Sequence, residues 1–267
     1  MQAGISTACL YPMLLEKSLE TLLSLNFRLF EIFINTCSEL RPEYLRRLRR
    51  VADEHNAVIR SVHPFTSGYE GFLLFSDYER RFLDGLDFYK RYFEACDVLG
   101  ARILVLHGKK NDRRAKIPDE AYFERYCRLF ELGKSFGVTV AQENVNQCLS
   151  DDPEFIRSMK LFCGSGCAFV LDVKQAVRGG VDPYVMCETM GTRLVHVHLN
   201  DNDASSDCLL PGVGTMNFPA LISILRRNQF SGDLLIEVYR KSFGALEELS
   251  SAIRSVEDLL EKLRQKS

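Results

Sequence analysis

Short runs of β-branched and apolar residues alternate with amphipathic stretches along the whole chain. Eight of these runs have the length and composition of buried strands, and they cover residues 4–8, 28–34, 57–63, 102–107, 138–143, 168–172, 194–199 and 233–238. Between them apolar residues recur every three or four positions, most regularly over residues 77–99 and from residue 246 onward, which is typical of helices packed on one face. Strands that alternate with helices predict a parallel sheet.

Eight strand–helix units in 267 residues predict a closed (β/α)₈ barrel of the α/β class. An open, doubly wound sheet is the alternative. Such a sheet usually carries a glycine-rich dinucleotide loop after its first strand, and here that segment reads ISTACLYP. No segment has the composition of a linker, so we expect one domain that spans residues 1–267.

Composition and charge narrow the classes of partner. The chain has 34 basic and 36 acidic residues and a net charge of −2, so neither nucleic acid nor an anionic membrane is an expected partner. It has no signal-peptide pattern at its start and no run of about 18 apolar residues, which predicts a cytoplasmic protein. Its nine cysteines are scattered and are expected to be reduced. A small metabolite is the expected ligand.

Polar residues stand at the ends of six successive predicted strands. In a barrel the active site lies at the carboxyl ends of the strands. One such residue could cap a helix or form a buried hydrogen bond, but six at one rim indicate a site. They are His63, His107, Glu143, Asp172, His198 and Glu237.

Carboxylates and imidazoles without cysteine suit a divalent ion such as Mn²⁺, Mg²⁺, Co²⁺ or Zn²⁺. Glu143 and Glu237 come from the fifth and eighth strands, so they could face each other across a substrate. One could then remove a proton from a carbon and the other return one to its opposite face.

Two histidines share the seventh strand. His196 and His198 are two residues apart, so both side chains point to the barrel interior. His198 lies nearer the mouth and is the better metal ligand. His196 either orients a ligand or the substrate from a deeper layer or is an ordinary buried histidine.

Two loops of the expected active-site rim have distinctive sequences. The segment GKKNDRRAK, residues 108–116, is either a solvated basic loop or a binding site for a substrate phosphate or carboxylate. The segment LPGVGTMNF, residues 210–218, has turn glycines and is expected to fold over the site.

The chain resembles the xylose isomerase-like TIM-barrel superfamily, in particular its sugar phosphate isomerase/epimerase group, which is related to endonuclease IV. The resemblance covers essentially the whole chain, and the most specific segments are AQEN at Glu143, LD at Asp172, VHVHLND at His198, PGVG after it, and IE at Glu237. It implies a single (β/α)₈ TIM barrel that holds one divalent ion through Glu143, Asp172, His198 and Glu237. Mn²⁺ is the first expectation for this ion.

The resemblance also implies a reaction. Glu143 and Glu237 would be the acid/base groups, and the metal would chelate adjacent carbonyl and hydroxyl oxygens and stabilise an enediolate. The expected activity is therefore isomerisation or epimerisation of a sugar, a sugar phosphate or a related polyol ketone. Five further residues are expected near the substrate: His63, His107, Lys174, Gln175 and His196.

The sequence departs from endonuclease IV at two points. Those enzymes carry Asp-x-x-His where this chain has Asp172-Val173-Lys174-Gln175. They also carry an Asp-x-His pair before the loop that corresponds to PGVG, whereas the run SSDCLL at residues 205–210 of this chain has no histidine. A three-metal cluster is therefore not expected. Gln175 replaces a histidine of several sugar epimerases and can still bond a hydroxyl. Lys174 either pairs with an acidic group or phosphate or lies on an exposed turn, and the exposed turn is the favoured interpretation.

Three other functions stay open. An abasic-site endonuclease could keep His63, His107 and Glu143 as a further metal site, an inosose dehydratase-like lyase could use the same metal to expel a hydroxyl, and the barrel could bind a sugar without catalysis. The substrate, the native metal and the presence of a homo-oligomer are not determined by the sequence.

Overall fold

The eight predicted strands form a closed parallel barrel in chain order, and the single (β/α)₈ fold is confirmed. The computed structural model describes residues 1–111 and 117–265. The barrel closes where β8 pairs with β1, with Ala3 beside Leu234 and Ile5 beside Ile236. The strands are β1 (Ala3–Ser6), β2 (Leu29–Phe33), β3 (Val58–His63), β4 (Ile103–Leu106), β5 (Thr139–Glu143), β6 (Phe169–Asp172), β7 (Leu194–Leu199) and β8 (Leu234–Ile236).

Helices surround the barrel and connect successive strands. They are α1 (Leu15–Ser24), α2 (Pro42–Glu54), α3 (Glu70–Leu73), α4 (Glu79–Leu99), α5 (Asp119–Ser135), α6 (Pro153–Cys163), α7 (Val173–Arg178), α8 (Pro183–Met190), α9 (Phe218–Arg227) and α10 (Leu246–Gln265). The periodic apolar residues predicted for residues 77–99 and for the last segment are on the inner faces of α4 and α10. Within the described residues no helix is long and apolar enough to cross a membrane.

Side-chain alternation along the strands divides the core into two parts. Outward-facing residues of the strands, such as Leu104, Val140 and Phe169, pack against the helices in one large cluster. A small cluster fills the lower part of the barrel, and its buried members are Ile103, Val105, Ala141, Ala168 and Val170. Since every second residue faces inward, the next inward positions after Val105, Ala141 and Val170 are polar. The apolar interior therefore ends in a polar layer at the carboxyl ends of the strands.

Candidate functional site

Three of the predicted strand-end carboxylates converge on one nitrogen of a fourth strand-end residue, His198. His198 Nδ1 lies 2.8 Å from Glu237 Oε2, 3.2 Å from Glu143 Oε1 and 3.7 Å from Asp172 Oδ2. Glu143, Asp172 and His198 are buried, and the side chain of Glu237 is 14% exposed toward the mouth. The structure thus brings together the four residues that the family resemblance implies as metal ligands.

Backbone register explains the short distances between these residues. Asp172 and His198 are direct partners in the pairing of β6 with β7. Asn144, which follows β5, donates from Nδ2 to the Asp172 carbonyl (2.9 Å) and accepts from the Asp172 backbone N–H through Oδ1 (2.7 Å). These two hydrogen bonds tie the ends of β5 and β6 together, so that Glu143 and Asp172 lie side by side.

A buried glutamate of β2 supports His198 from below. Ser61 donates to Glu31 Oε2 (2.8 Å), and the same oxygen lies 3.0 Å from His198 Nε2. Ser6 donates to Glu31 Oε1 (3.2 Å). With a metal bound, a proton on Nε2 shared with Glu31 would leave Nδ1 as the ligand atom, as in the carboxylate–histidine pairs of metal sites. Glu31 lies within the predicted strand 28–34 but was assigned no role from the sequence. The available signal was its charge in the otherwise apolar run of residues 29–33.

The structure places His196 in this supporting layer. Its side chain is fully buried, and its Nε2 lies 3.3 Å from Glu31 Oε2 and 3.2 Å from the Ser61 hydroxyl. A direct contact of His196 with substrate, one of the expectations from the sequence, does not fit this position because the side chain has no exposed surface. Its contacts are those of a residue that orients Glu31.

His63 and His107 form a second group around Glu143. Their Nε2 atoms lie 2.9 Å apart, and Glu143 Oε2 lies 2.8 Å from His107 Nε2 and 3.8 Å from His63 Nε2. Each residue offers an atom within the spacing of a metal site. Glu143 therefore borders both groups, with Oε1 toward His198 and Oε2 toward His107.

Lys174 lies inside the ring rather than on the exposed turn that the sequence analysis favoured. It is the second residue of α7 and is 2% exposed. Its ammonium contacts Asp172 Oδ2 and lies 2.9 Å from Glu237 Oε1. The favoured interpretation was wrong because α7 starts directly after β6, and its first turn is fixed by Asp172 Oδ1, which accepts from the Gln175 backbone N–H (3.1 Å).

Gln175 has a different partner from the expected substrate hydroxyl. Its side-chain carbonyl accepts from the Asn146 backbone N–H (3.2 Å) and so holds the loop after β5. In this position the side chain supports the rim.

The charges of the ring keep its glutamates ionised. Burial raises the pKa of Glu237, but the neighbouring charges of His198 and Lys174 outweigh burial and hold that pKa at about 2. Burial likewise opposes ionisation of Glu143, whereas the charge and hydrogen bond of His107 lower its pKa well below the usual value. Burial lowers the pKa of His198, but Glu237 and Glu31 raise it well above its usual value. The ring is thus an acidic environment that attracts positive charge.

Two buried carboxylate oxygens fit a cation. Among residues 1–111 and 117–265, Glu143 Oε2 and Glu237 Oε2 accept no well-oriented hydrogen bond, and each lies 2.8 Å from an imidazole nitrogen, of His107 and His198 respectively. Buried polar atoms normally have well-formed hydrogen bonds, so carboxylate oxygens that have only an ion-pair contact here point to a site for a cation. Carboxylate oxygens with one imidazole nitrogen form a donor set that suits a divalent metal.

A cavity of about 570 Å³ opens beside His107. Its walls include aromatic side chains and basic side chains: Phe72, Phe75, Tyr78, Arg81, Lys109 and Lys110. Lys109 is 9% exposed, and its carbonyl accepts from the Leu149 backbone N–H (2.9 Å), which fixes this part of the rim. The predicted basic loop thus contributes its first two lysines, whereas residues 112–116 lie outside the described residues. A larger groove of about 1260 Å³ lies at the opposite end of the barrel and contains none of the ring residues.

The glycine turn after β7 is held by a single carboxylate. Asp201 accepts from the backbone N–H groups of Gly212 (3.0 Å), Gly214 (2.9 Å) and Met216 (3.0 Å). A Cβ at Gly214 would overlap the Asn202 carbonyl oxygen, so glycine is required there. The turn is fixed at the end of β7, next to His198.

One buried acid near the cavity carried no signal in the sequence. Glu70 of α3 accepts from the Gly108 backbone N–H (2.5 Å) and from the Tyr89 hydroxyl (2.8 Å). Burial raises its pKa to about 7, although the charge of His107 opposes the shift. A glutamate that starts a four-residue helix has no spacing that would identify it.

The fold and the ring define a class: a (β/α)₈ barrel whose carboxyl-end mouth carries buried carboxylates and imidazoles at the spacing of metal ligands. The chain belongs to the xylose isomerase-like TIM barrel family, whose sequence profile matches residues 19–265.

Several proteins are similar to this chain at low sequence identity, in sequence or in structure. An uncharacterised protein of Mycobacterium leprae is 23% identical over 93% of this chain and 92% of its own length. The crystal structure of a D-tagatose 3-epimerase-like protein has a TM-score of 0.80 and 20% identity, with 100% of this chain and 99% of that chain covered. The IolI protein, crystallised with a zinc atom, has a TM-score of 0.72 and 18% identity, with 96% of each chain covered. The two structural similarities support the same barrel architecture.

Proposed function

We propose that this protein is a divalent-metal-dependent isomerase or epimerase that acts on a sugar, a sugar phosphate or a related polyol ketone. The observation that carries the proposal is the convergence of Glu143, Asp172 and Glu237 on His198 Nδ1. The structural similarity to an epimerase-like protein and to zinc-containing IolI supports the same class.

Glu143, Asp172, His198 and Glu237 would hold the ion. When bound, the ion would supply positive charge beside the substrate oxygen that becomes negative as a proton leaves the neighbouring carbon.

The two glutamates are the candidate proton carriers. They come from β5 and from the residue after β8, and both approach the Nδ1 atom of His198. Their low pKa values keep them ionised near neutral pH, so either can accept a proton. A buried ring also excludes bulk water and thereby limits loss of the reactive intermediate. Glu143 and Glu237 would act on opposite sides of the reacting carbon.

The cavity beside His107 would hold the remainder of the substrate. Arg81, Lys109 and Lys110 are positive groups in its wall, and they favour a substrate with a phosphate or carboxylate. His107 lies between this cavity and Glu143, so a bound substrate could extend from the basic wall to the ring.

Deuterium exchange tests the proposal directly. Protein loaded with Mn²⁺, Mg²⁺, Co²⁺ or Zn²⁺ would be incubated in D₂O with ketoses, sugar phosphates and inosose-like ketones. We expect deuterium at a carbon next to the carbonyl for one substrate class. Glu143→Gln and Glu237→Gln should abolish the exchange, whereas Glu131→Gln, an exposed residue of α5, should retain it. Absence of exchange with every compound and every metal would overturn the proposal, and net loss of water would indicate a lyase instead.

An abasic-site endonuclease is the second candidate, and the cluster of His63, His107 and Glu143 favours it because these residues could hold a further metal. Incubation with a duplex that contains one abasic site would distinguish the two functions. We expect no strand cleavage at high enzyme concentration, since the net charge of −2 gives no attraction to DNA. Metal-dependent nicking would favour the endonuclease.

A further inference from the structure

Lys174 places a positive charge within the ring that is expected to bind a metal. Its ammonium contacts Asp172 Oδ2 and lies 2.9 Å from Glu237 Oε1, so it already pairs with two of the four candidate ligands. Its side chain is 3% exposed, and those of Asp172 and Glu237 are 0% and 14% exposed. A buried charge pair of this kind is screened little by solvent.

We propose that Lys174 is an internal cation that competes with the divalent ion for Asp172 and Glu237 and leaves both carboxylates when the metal binds. The inference rests on the proposed function, because it concerns the same ligands. Asp172 Oδ2 is the oxygen that Lys174 contacts and also the one that lies toward His198 Nδ1, so an ammonium and a divalent ion at this oxygen would repel each other strongly at short range. Metal affinity also depends on the net charge of the ligand set, and Lys174 cancels one negative charge of that set.

The structure offers a second position for the displaced ammonium. Lys174 Nζ lies 6.0 Å from the centre of the Tyr239 ring, which is a favourable surface for a cation. Arg178, which is paired with Asp207 (3.0 Å), and Lys241, whose Nζ lies 5.8 Å from the ring centre, also face Tyr239, so a displaced ammonium would share the ring with them. Tyr239 is 38% exposed, and an ammonium beside it would lie nearer the mouth than in the ring.

Two consequences follow from the competition. The metal-free protein keeps its carboxylates paired and remains folded, because Lys174 compensates a buried charge that would otherwise be costly. The metal-loaded protein binds its ion less tightly than the bare ligand set would. Removal of the ammonium should therefore tighten metal binding and weaken the metal-free fold.

Calorimetric titration of metal-free protein with Mn²⁺, in the absence of any substrate, tests the proposal. Lys174→Met keeps an unbranched side chain that is one atom shorter and removes its charge. We expect at least about tenfold tighter Mn²⁺ binding, as anticipated for one more net negative charge in the ligand set. We also expect a lower melting temperature without metal that is restored by Mn²⁺. Lys160→Met is the control, because Lys160 is on α6 and donates to the Thr189 carbonyl, far from the ring.

Wild-type protein provides a measurement that does not depend on the folding of a variant. Reductive methylation followed by mass spectrometry should modify Lys174 slowly without metal and faster with Mn²⁺, whereas Lys160 should react equally in both states. Equal Mn²⁺ affinity of wild type and Lys174→Met, or unchanged methylation, overturns the role of Lys174 and leaves the proposed function intact. Failure of both proteins to bind any divalent ion overturns both proposals.

Discussion

Glu31→Gln is expected to weaken Mn²⁺ binding about tenfold, although Glu31 is not among the candidate ligands. Glu31 Oε2 lies 3.0 Å from His198 Nε2, and the charge on this carboxylate favours a proton on Nε2, so that Nδ1 would be the atom that binds the metal. Glutamine keeps the shape of the side chain and an acceptor oxygen but has no charge. The perturbation is therefore electrostatic and leaves the packing unchanged.

The magnitude follows from the type of hydrogen bond. A bond to a charged group contributes about 1.5–3 kcal/mol, and a bond between neutral groups contributes about 0.5–1.5 kcal/mol. The difference is about 1–1.5 kcal/mol, which corresponds to about one factor of ten in a binding constant. Glu31→Ala should be more damaging, about a hundredfold, because it also leaves His198 Nε2 and the Ser61 hydroxyl without their buried acceptor.

Calorimetric titration with Mn²⁺ at constant pH and salt measures these effects. The matched control is Glu39→Gln, because Glu39 is another buried glutamate that accepts from the Asn35 backbone N–H (2.6 Å), outside the ring. Circular dichroism would verify that the variants are folded. A metal affinity of Glu31→Gln within about twofold of wild type would refute the reasoning, since a supporting carboxylate of this kind typically changes affinity 10- to 100-fold.

Two further predictions concern the cavity side of the mouth. Raising the pH from about 5 to about 8 should destabilise the fold by up to about 3 kcal/mol through Glu70. Burial raises the pKa of Glu70 in the folded state to about 7, so in this pH range the folded state holds a proton that the unfolded state has released. Urea unfolding should show a weaker loss of stability with pH in Glu70→Gln, and an equal loss would assign the effect to other groups. Lys109→Met should raise KM for a phosphorylated or carboxylated substrate about tenfold, with kcat nearly unchanged, because it removes a binding charge of the cavity. An equal effect on a neutral sugar would contradict a role in anion binding.

The sequence allowed the fold to be predicted because the barrel depends on simple periodicities. Each strand is a short apolar run, and each is followed by a helical stretch, so chain order alone gives the parallel barrel. The same logic brought Glu143, Asp172, His198 and Glu237 to one rim, since parallel strands end at the same edge. The convergence of the three carboxylates on one nitrogen of His198 follows from register and from Asn144, which a linear pattern does not describe.

The residues that the sequence did not place depend on tertiary contacts. Lys174 could have pointed outward or inward from the first turn of α7, and the direction is set by the Asp172 cap. Glu70 reaches Gly108 across 38 positions of sequence, and no local spacing connects them. Strand alternation predicted that His196 points inward, but its contacts with Glu31 and Ser61, which place it below the ring, could not be predicted from the sequence.

The distribution of charge connects these observations. Glu31, Glu143 and Asp172 are buried carboxylates, and a buried carboxylate is costly unless a positive partner compensates it. Protonated histidine, the Lys174 ammonium and a divalent ion are alternative partners, and each one weakens the attraction for the others. Metal affinity should therefore depend on residues that do not ligate the metal, and in opposite directions. Loss of the Glu31 charge weakens binding, whereas loss of the Lys174 charge strengthens it, because the first removes a negative charge beside the ion and the second removes a positive one.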